Sequence, residues 1–248
     1  MKIAIKSWAD GSVLFEHDGR ENSLKITLEA TVKAGARLDG ASLDGASLDG
    51  ASLVGASLDG ASLVGARLDG ARLDGARLDG ASLDGASLDG ASLDGASLVR
   101  ARLDGASLVR ARLDGARLDG ASLVRASLVR ARLDGASLVR ASLVGARLDG
   151  ASLVGARLDG ARLVRARLDG AKLNWQSHDL LAEILRRWAT DSAPRRMLAG
   201  LILVSHDWCW EDFLKIEHPE KAAALEELKR WLRNDETALW EVKGETKP

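Results

Sequence analysis

From Ala36 the chain repeats every five residues, Ala-Arg-Leu-Asp-Gly and then Ala-Ser-Leu-Asp-Gly, and the frame does not slip before Trp175. Residues 36–175 are 28 such pentads. The first position is always Ala and the third always Leu. The second is Ser or Arg (Lys172 once), the fourth Asp or Val (Asn174 once), and the fifth Gly or Arg (Trp175 once). A period of five excludes both regular elements. On an α-helix it would wind the leucines around the surface in steps of about 140°. In an unbroken strand an odd period would flip each leucine to the opposite face. The period is satisfied when the chain turns a corner once per pentad, with Ala and Leu, two residues apart, facing one interior. Gly supplies the positive φ such a corner uses. Four corners close a square coil of 20 residues, and 28 pentads make seven coils. At a strand spacing of about 4.8 Å they would stack into a rod of roughly 34 Å.

These pentads closely resemble the pentapeptide-repeat proteins, whose usual pattern is Ala-(Asp/Asn)-Leu-X-X with a central Leu or Phe. The resemblance implies an all-β solenoid, a right-handed quadrilateral parallel β-helix, and covers all 28 pentads. It specifies a scaffold rather than a site. The expected core column is Leu38, Leu58, Leu78, Leu98, Leu118, Leu138 and Leu158, with Ala36, Ala56 and Ala76 beside it.

The variable positions carry their own rules. The central residue is never Phe, Asp is always followed by Gly, and Arg at the fifth position always follows Val. Such uniformity reads as an engineered consensus array. The pairing rule suggests two corner types: Asp-Gly where φ is positive, and Val-Arg where Arg100, Arg110 and Arg125 keep ordinary φ. Residues 20 apart should stack, so one outer column reads Arg37, Ser57, Arg77, Ser97, Arg117, Ser137, Arg157. Alternation holds the guanidiniums about 9.6 Å apart, which avoids like charges directly opposite one another. Arg112 and Arg132 are expected as neighbours, and Val124, Val144 and Val164 as a small apolar stripe. The arginines should form exposed pairs with Asp39 and its equivalents, worth about 0–1 kcal/mol each.

A solenoid has open ends that need covering. Residues 1–35 are read as an N-terminal cap. Strand-like runs Lys2–Trp8 and Val13–Glu16 flank Ala9-Asp10-Gly11-Ser12, and Leu24, Leu28 and Val32 have helical spacing up to Gly35. Residues 176–248 are read as an α-helical C-terminal cap, leaving 36–175 as the β-helix. Ser177 would cap a helix over His178–Ala189, Pro194 would open one through Val204, a third segment spans Trp208–Ile216, and Pro219 opens a fourth to Leu232. All seven Trp and both Phe lie outside the inner 27 pentads, so the aromatic surface is in the caps, through which a homodimer is compatible.

Composition bounds the chemistry. Lys plus Arg number 35 against 36 Asp plus Glu, a charge of −1 over 248 residues, which gives no overall drive toward nucleic acid or acidic membranes. Cys209 is the single cysteine, so internal disulfides are excluded. No apolar run reaches a membrane span, and Met1–Lys6 is too polar for a signal peptide, so the expectation is a cytoplasmic protein. His206, Asp207 and Cys209 lie within four residues, but Cys209 between two tryptophans reads as a small hydrophobe rather than a nucleophile. His17, His178, His206 and His218 lack metal-ligand spacing, and no calcium loop or phosphate-cradling motif occurs; no cofactor is expected. Pentads one to twelve carry ten Asp and four Arg, whereas pentads thirteen to twenty-eight carry seven Asp, fourteen Arg and Lys172. The first block is therefore −6 and the second +8. Aromatics are missing from the basic block except Trp175, so base stacking is unsupported and nucleic acid disfavoured.

The expected function is a non-enzymatic, engineered structural scaffold that requires no partner. The alternative implied by the resemblance is a DNA mimic that binds a type II topoisomerase such as gyrase. That role calls for a strongly acidic rod, and the pentads hold 19 basic against 17 acidic residues.

Overall fold

The computed structural model describes residues 2–19, 23–172, 217 and 219–229. Its centre is a parallel β-helix. Second-position residues bridge in parallel to the residue 20 positions on, from Ser42↔Ser62 through Ser152↔Lys172. The 20-residue coil inferred from the pentad is therefore the stacking unit of the protein.

The backbone hydrogen bonds of one pentad explain why. The second-position N–H donates to the first-position carbonyl of the preceding coil (Ser62 to Ala41, 2.8 Å). The third- and fifth-position N–H groups donate to the following coil (Leu43 to Ser62, 2.7 Å; Gly45 to Val64, 2.8 Å). The first-position N–H closes the corner behind it (Ala46 to Leu43, 3.1 Å). With negative φ at the fourth position and positive φ at the fifth, this corner has the form of a type II turn. Four of five N–H donors thus find backbone acceptors, which is what a chain without long strands needs.

The interior is a dry column. Leu38, Leu58, Leu78, Leu98, Leu118, Leu138 and Leu158 are 0–1% exposed, and Ala56 and Ala76 are buried beside them. Ala36 differs from the expectation, being only half-buried. Its N–H is drawn back to Thr31 (3.1 Å) at the junction from helix to first coil, before the coil has closed around it.

The N-terminal segment is a hairpin, β1 (Lys2–Lys6) and β2 (Val13–Asp18), followed by helix α1 (Leu24–Lys33). The strands pair antiparallel, Lys2 with Asp18 and Ile5 with Phe15, with a register shift at Ile5/Lys6. At the turn Asp10 Oδ1 accepts from Ser12 N (3.0 Å) and Oγ (2.7 Å), a local bond of the kind that makes Asp a turn residue. Ser23 caps α1 by accepting from Ile26 N. Gly35, at φ 68°, ends it: Gly35 N donates to Val32 O (3.0 Å) while Ala36 N reaches Thr31 O, a Schellman motif. The face expected from Leu24, Leu28 and Val32 is rotated. Thr27, Leu28 and Thr31 are buried, whereas Leu24 and Val32 are partly buried. Thr31 Oγ1 donates to Thr27 O (2.7 Å), so that hydroxyl is satisfied within the helix and can be buried.

This segment also answers the open edge of the first coil. Ser42 N donates to Lys6 O (2.7 Å) and Trp8 N to Gly40 O (2.9 Å), continuing β1 onto the coil. Further round, Lys25 Nζ donates to Asp49 O (2.8 Å) and Glu29 Oε1 accepts from Ser52 N (2.9 Å). Ile5 and Leu28 join the buried core. Beyond the coils, helix α2 (Lys221–Lys229) falls within the span expected after Pro219 and buries Ala224. The helices expected over His178–Ala189, Pro194–Val204 and Trp208–Ile216, with His206 and Cys209, lie outside the described residues.

Candidate functional site

The polar chemistry of the rod is concentrated at its corners. The one backbone donor of each pentad left over is the fourth-position N–H, and where the preceding coil carries Asp at that corner its carboxylate commonly accepts it. Asp39 Oδ1 takes Asp59 N (3.1 Å), Asp44 takes Val64 N (3.0 Å), and Asp94 takes Asp114 N (3.0 Å). The same oxygen commonly accepts the hydroxyl two positions earlier, as Ser57 Oγ to Asp39 (2.6 Å). Where that position is Arg, a guanidinium pairs instead, as Arg67 with Asp49 (2.7 Å) and Arg132 with Asp114 (2.7 Å). The fourth-position Asp is therefore a coil-to-coil connector, which the sequence reading missed by treating it as an exposed ion-pair partner. Its only sequence signal is the 20-residue coil itself, which brings positions 18 and 20 apart together.

Asp39 shows the balance of forces. Burial works to raise its pKa, but the hydrogen bonds from Ser57, Arg37 and the Asp59 N–H together hold the carboxyl below the ordinary Asp value. At the hairpin, the Ser12 hydroxyl and N–H bring Asp10 down, and Glu16, hydrogen-bonded to Lys2, pushes that ammonium up.

The column Arg37, Arg77, Arg117 and Arg157 is exposed, and every member has an Asp neighbour. Arg37 pairs with Asp39 (2.5 Å), Arg77 with Asp59, Arg117 with Asp119 (3.7 Å) and Arg157 with Asp159 (3.2 Å). Arg112 does stack on Arg132, as does Arg147 on Arg167. Asp94 and Asp114 offset the first pair. Asp149, whose oxygens are buried, lies between Arg147 Nε at 3.6 Å and Arg167 Nε at 3.5 Å in the second. Val164 is exposed and Val124 and Val144 are half-buried in their shared column.

The two-corner expectation is overturned. Arg100, Arg110, Arg125, Arg130, Arg140 and Arg165 all have φ of 57–59°. Their corners close like the glycine ones, with Ala101 N donating to Leu98 O at 3.0 Å. The coil imposes a left-handed residue at every described fifth position, and Arg adopts that narrow well of L-residues. The arginine stems then run toward the next coil: Cγ of Arg100, Arg125, Arg130 and Arg140 lies 3.4–3.6 Å from where a Cβ on Gly120, Gly145, Gly150 or Gly160 would stand. Nothing in the structure explains why Arg here always follows Val. None of these six arginines forms an ion pair among the described residues, in contrast to the second-position column.

Among the described residues no group of His, Cys, Asp and Glu is arranged to hold a metal ion, and no helix is long and apolar enough to cross a membrane.

The pentapeptide repeats family matches this chain over residues 36–75, 71–108, 106–143 and 141–175, in eight copies. No curated protein matches it in sequence. Among solved structures, HetL from the cyanobacterium Nostoc sp. strain PCC 7120, a pentapeptide-repeat protein involved in heterocyst differentiation regulation, is 36% identical over 52% of this chain and 71% of its own, with a TM-score of 0.41. Rfr23 from the cyanobacterium Cyanothece 51142 is 34% identical over 39% of this chain and 62% of its own, with a TM-score of 0.25. QnrB1, a plasmid-mediated fluoroquinolone resistance protein, is 21% identical over 54% of this chain and 70% of its own, with a TM-score of 0.40.

Proposed function

The chain belongs to the pentapeptide-repeat family and has its right-handed β-helix, and on that premise we propose that it is a non-catalytic structural scaffold. In this reading seven 20-residue coils at 36–175 are closed by an N-terminal cap at 1–35 and a C-terminal cap at 176–248. The observation that carries it is the aspartate ladder. Most corner carboxylates of the described coils are already engaged as acceptors for the N–H or hydroxyl of the next coil, so they serve the stack. The core behind them is Leu and Ala, with no polar residue buried among the described residues of the coils. The near-identity of the pentads supports an engineered array, and the six corner arginines count against it, because a designed corner at positive φ would carry glycine. The scaffold reading depends on neither.

A DNA-mimicking topoisomerase ligand would need a surface acidic along its length, whereas only the first twelve pentads are acidic and the remainder are basic. A gyrase supercoiling assay with the purified full chain, at low and physiological salt, separates the two. No inhibition is expected; inhibition that persists at physiological salt would replace the scaffold reading with the mimic.

A further inference from the structure

The third corner of the coil is the edge on which the unpaired charges are ordered. Going up the stack it presents Asp49, Asp69, Asp89, Arg110, Arg130, Asp149 and Asp169. These corners are joined directly, Gly70 N to Asp89 O (2.9 Å), Gly90 N to Val109 O (2.9 Å) and Arg110 N to Val129 O (2.9 Å). Asp49 is neutralised by Arg67, Asp149 by Arg147 and Arg167, and Asp169 by Arg167. The four in the middle are not. Asp69 and Asp89 receive only neutral donors, Ser87 Oγ with Asp89 N and Ser107 Oγ with Val109 N, all on Oδ1. Arg110 and Arg130 form no ion pair among the described residues. A shallow groove runs here, lined by Asp89, Gly90, Val109, Arg110, Val129 and Arg130.

The uncompensated sequence along this edge is minus, minus, plus, plus, and that order is complementary to itself when reversed. We propose that the third edge is an antiparallel self-association surface whose partner is a second copy of this chain. A two-fold axis perpendicular to the rod, between the Asp89 and Arg110 coils, sets Asp89 of one copy against Arg110 of the other and Asp69 against Arg130. The symmetry repeats both contacts, giving four ion pairs around the two apolar Val109/Val129 steps. Both copies share the strand spacing of about 4.8 Å, so one pair in register brings the others into register. A parallel arrangement opposes like charges and is rejected. The other edges carry no run of four. On the first, Asp59 and Asp119 are already paired with Arg77 and Arg117, so only Asp79 and Arg100 stay uncompensated and reversal gives two ion pairs instead of four; the fourth has Gly at every described corner. The inference uses the coil geometry and does not depend on the absence of gyrase inhibition.

The test is analytical ultracentrifugation of the full chain, at about 0.1 M and about 1 M salt, where the screening length falls from about 10 Å to about 3 Å. The expected result is a dimer at the lower salt and a monomer at the higher. R110D/R130D and D69K/D89K should each be monomeric at both, and an equimolar mixture of the two should associate, since one edge is then all acidic and the other all basic. Should the aspartates at the corner prevent folding, R110G/R130G uses the residue already found at equivalent corners and should also lower dimerisation. A wild type that stays monomeric, a dimer indifferent to R110D/R130D, or a mixture that does not associate overturns the proposal. So does a monomer that binds duplex DNA through Arg110 and Arg130 instead.

Discussion

The first twelve pentads and the last sixteen have opposite surfaces on one backbone. In the first block every corner is closed by glycine; in the second, six are closed by arginine. Yet φ is 63–71° at the glycine corners and 57–59° at the arginine corners. A shift of a few degrees, across a change from no side chain to one of the largest, shows that corner conformation is imposed by the coil. Glycine occupies the left-handed region freely, whereas an L-residue there costs about 1–2 kcal/mol. The cost is met by the corner bond from Ala N to Leu O and by the bonds to adjacent coils, which are the same in both blocks. The lesson is that the core and the ladder choose the fold, and the corner residue chooses only the charge.

The strongest test of that division acts on the core. Leu58→Ala in the acidic block and Leu118→Ala in the basic block should each cost about 2–5 kcal/mol in urea unfolding, because each leaves a cavity in a close-packed column. The two losses should agree closely. A clear gap between them would show that corner chemistry reaches the core. A smaller effect is expected at the corners themselves. Gly75, at φ 64° with open space around it, should accept Arg at about 1 kcal/mol, whereas Gly75→Val should cost more because a β-branched residue fits this region poorly. Equal losses for Arg and Val, read from the urea midpoint, would remove the distinction. The smallest effect concerns acid. Asp39 has a depressed pKa in the folded state, so its contribution is present above the unfolded Asp value of about 3.9 and is lost as pH falls through the folded value. Asp39→Asn should remove that contribution, lowering stability modestly near neutrality and flattening that part of the acid limb below about pH 4. An unchanged acid profile would mean that the Ser57 and Arg37 contacts do not persist in solution.

The coil was legible in the sequence because a five-residue period with invariant Ala and Leu admits few solutions. Side-chain directions alone exclude helix and strand, and the 20-residue stacking follows. The pairing of Arg112 with Arg132 and the hairpin-then-helix order before Ala36 followed in the same way. The alternation of Arg77 with Ser97 was legible too, but not the carboxylate each arginine would find. The fate of the aspartates was hidden, because a bond from Asp39 to the N–H of Asp59 joins residues that are neighbours only after a full coil has closed. The α1 face was misjudged for a related reason: Thr31 can be buried because its hydroxyl turns back to Thr27, a choice that apolar spacing does not register.

By itself the sequence determined the repeat unit, the inward residues and the charge of each block, since these follow from period and composition. Tertiary structure alone decided that Arg100 and its equivalents take positive φ, that Asp is a connector, and that Asp69, Asp89, Arg110 and Arg130 fall uncompensated on one edge. The physical reason is common to all three. Each depends on contacts between successive coils, and such contacts exist only once the chain has returned to the same corner.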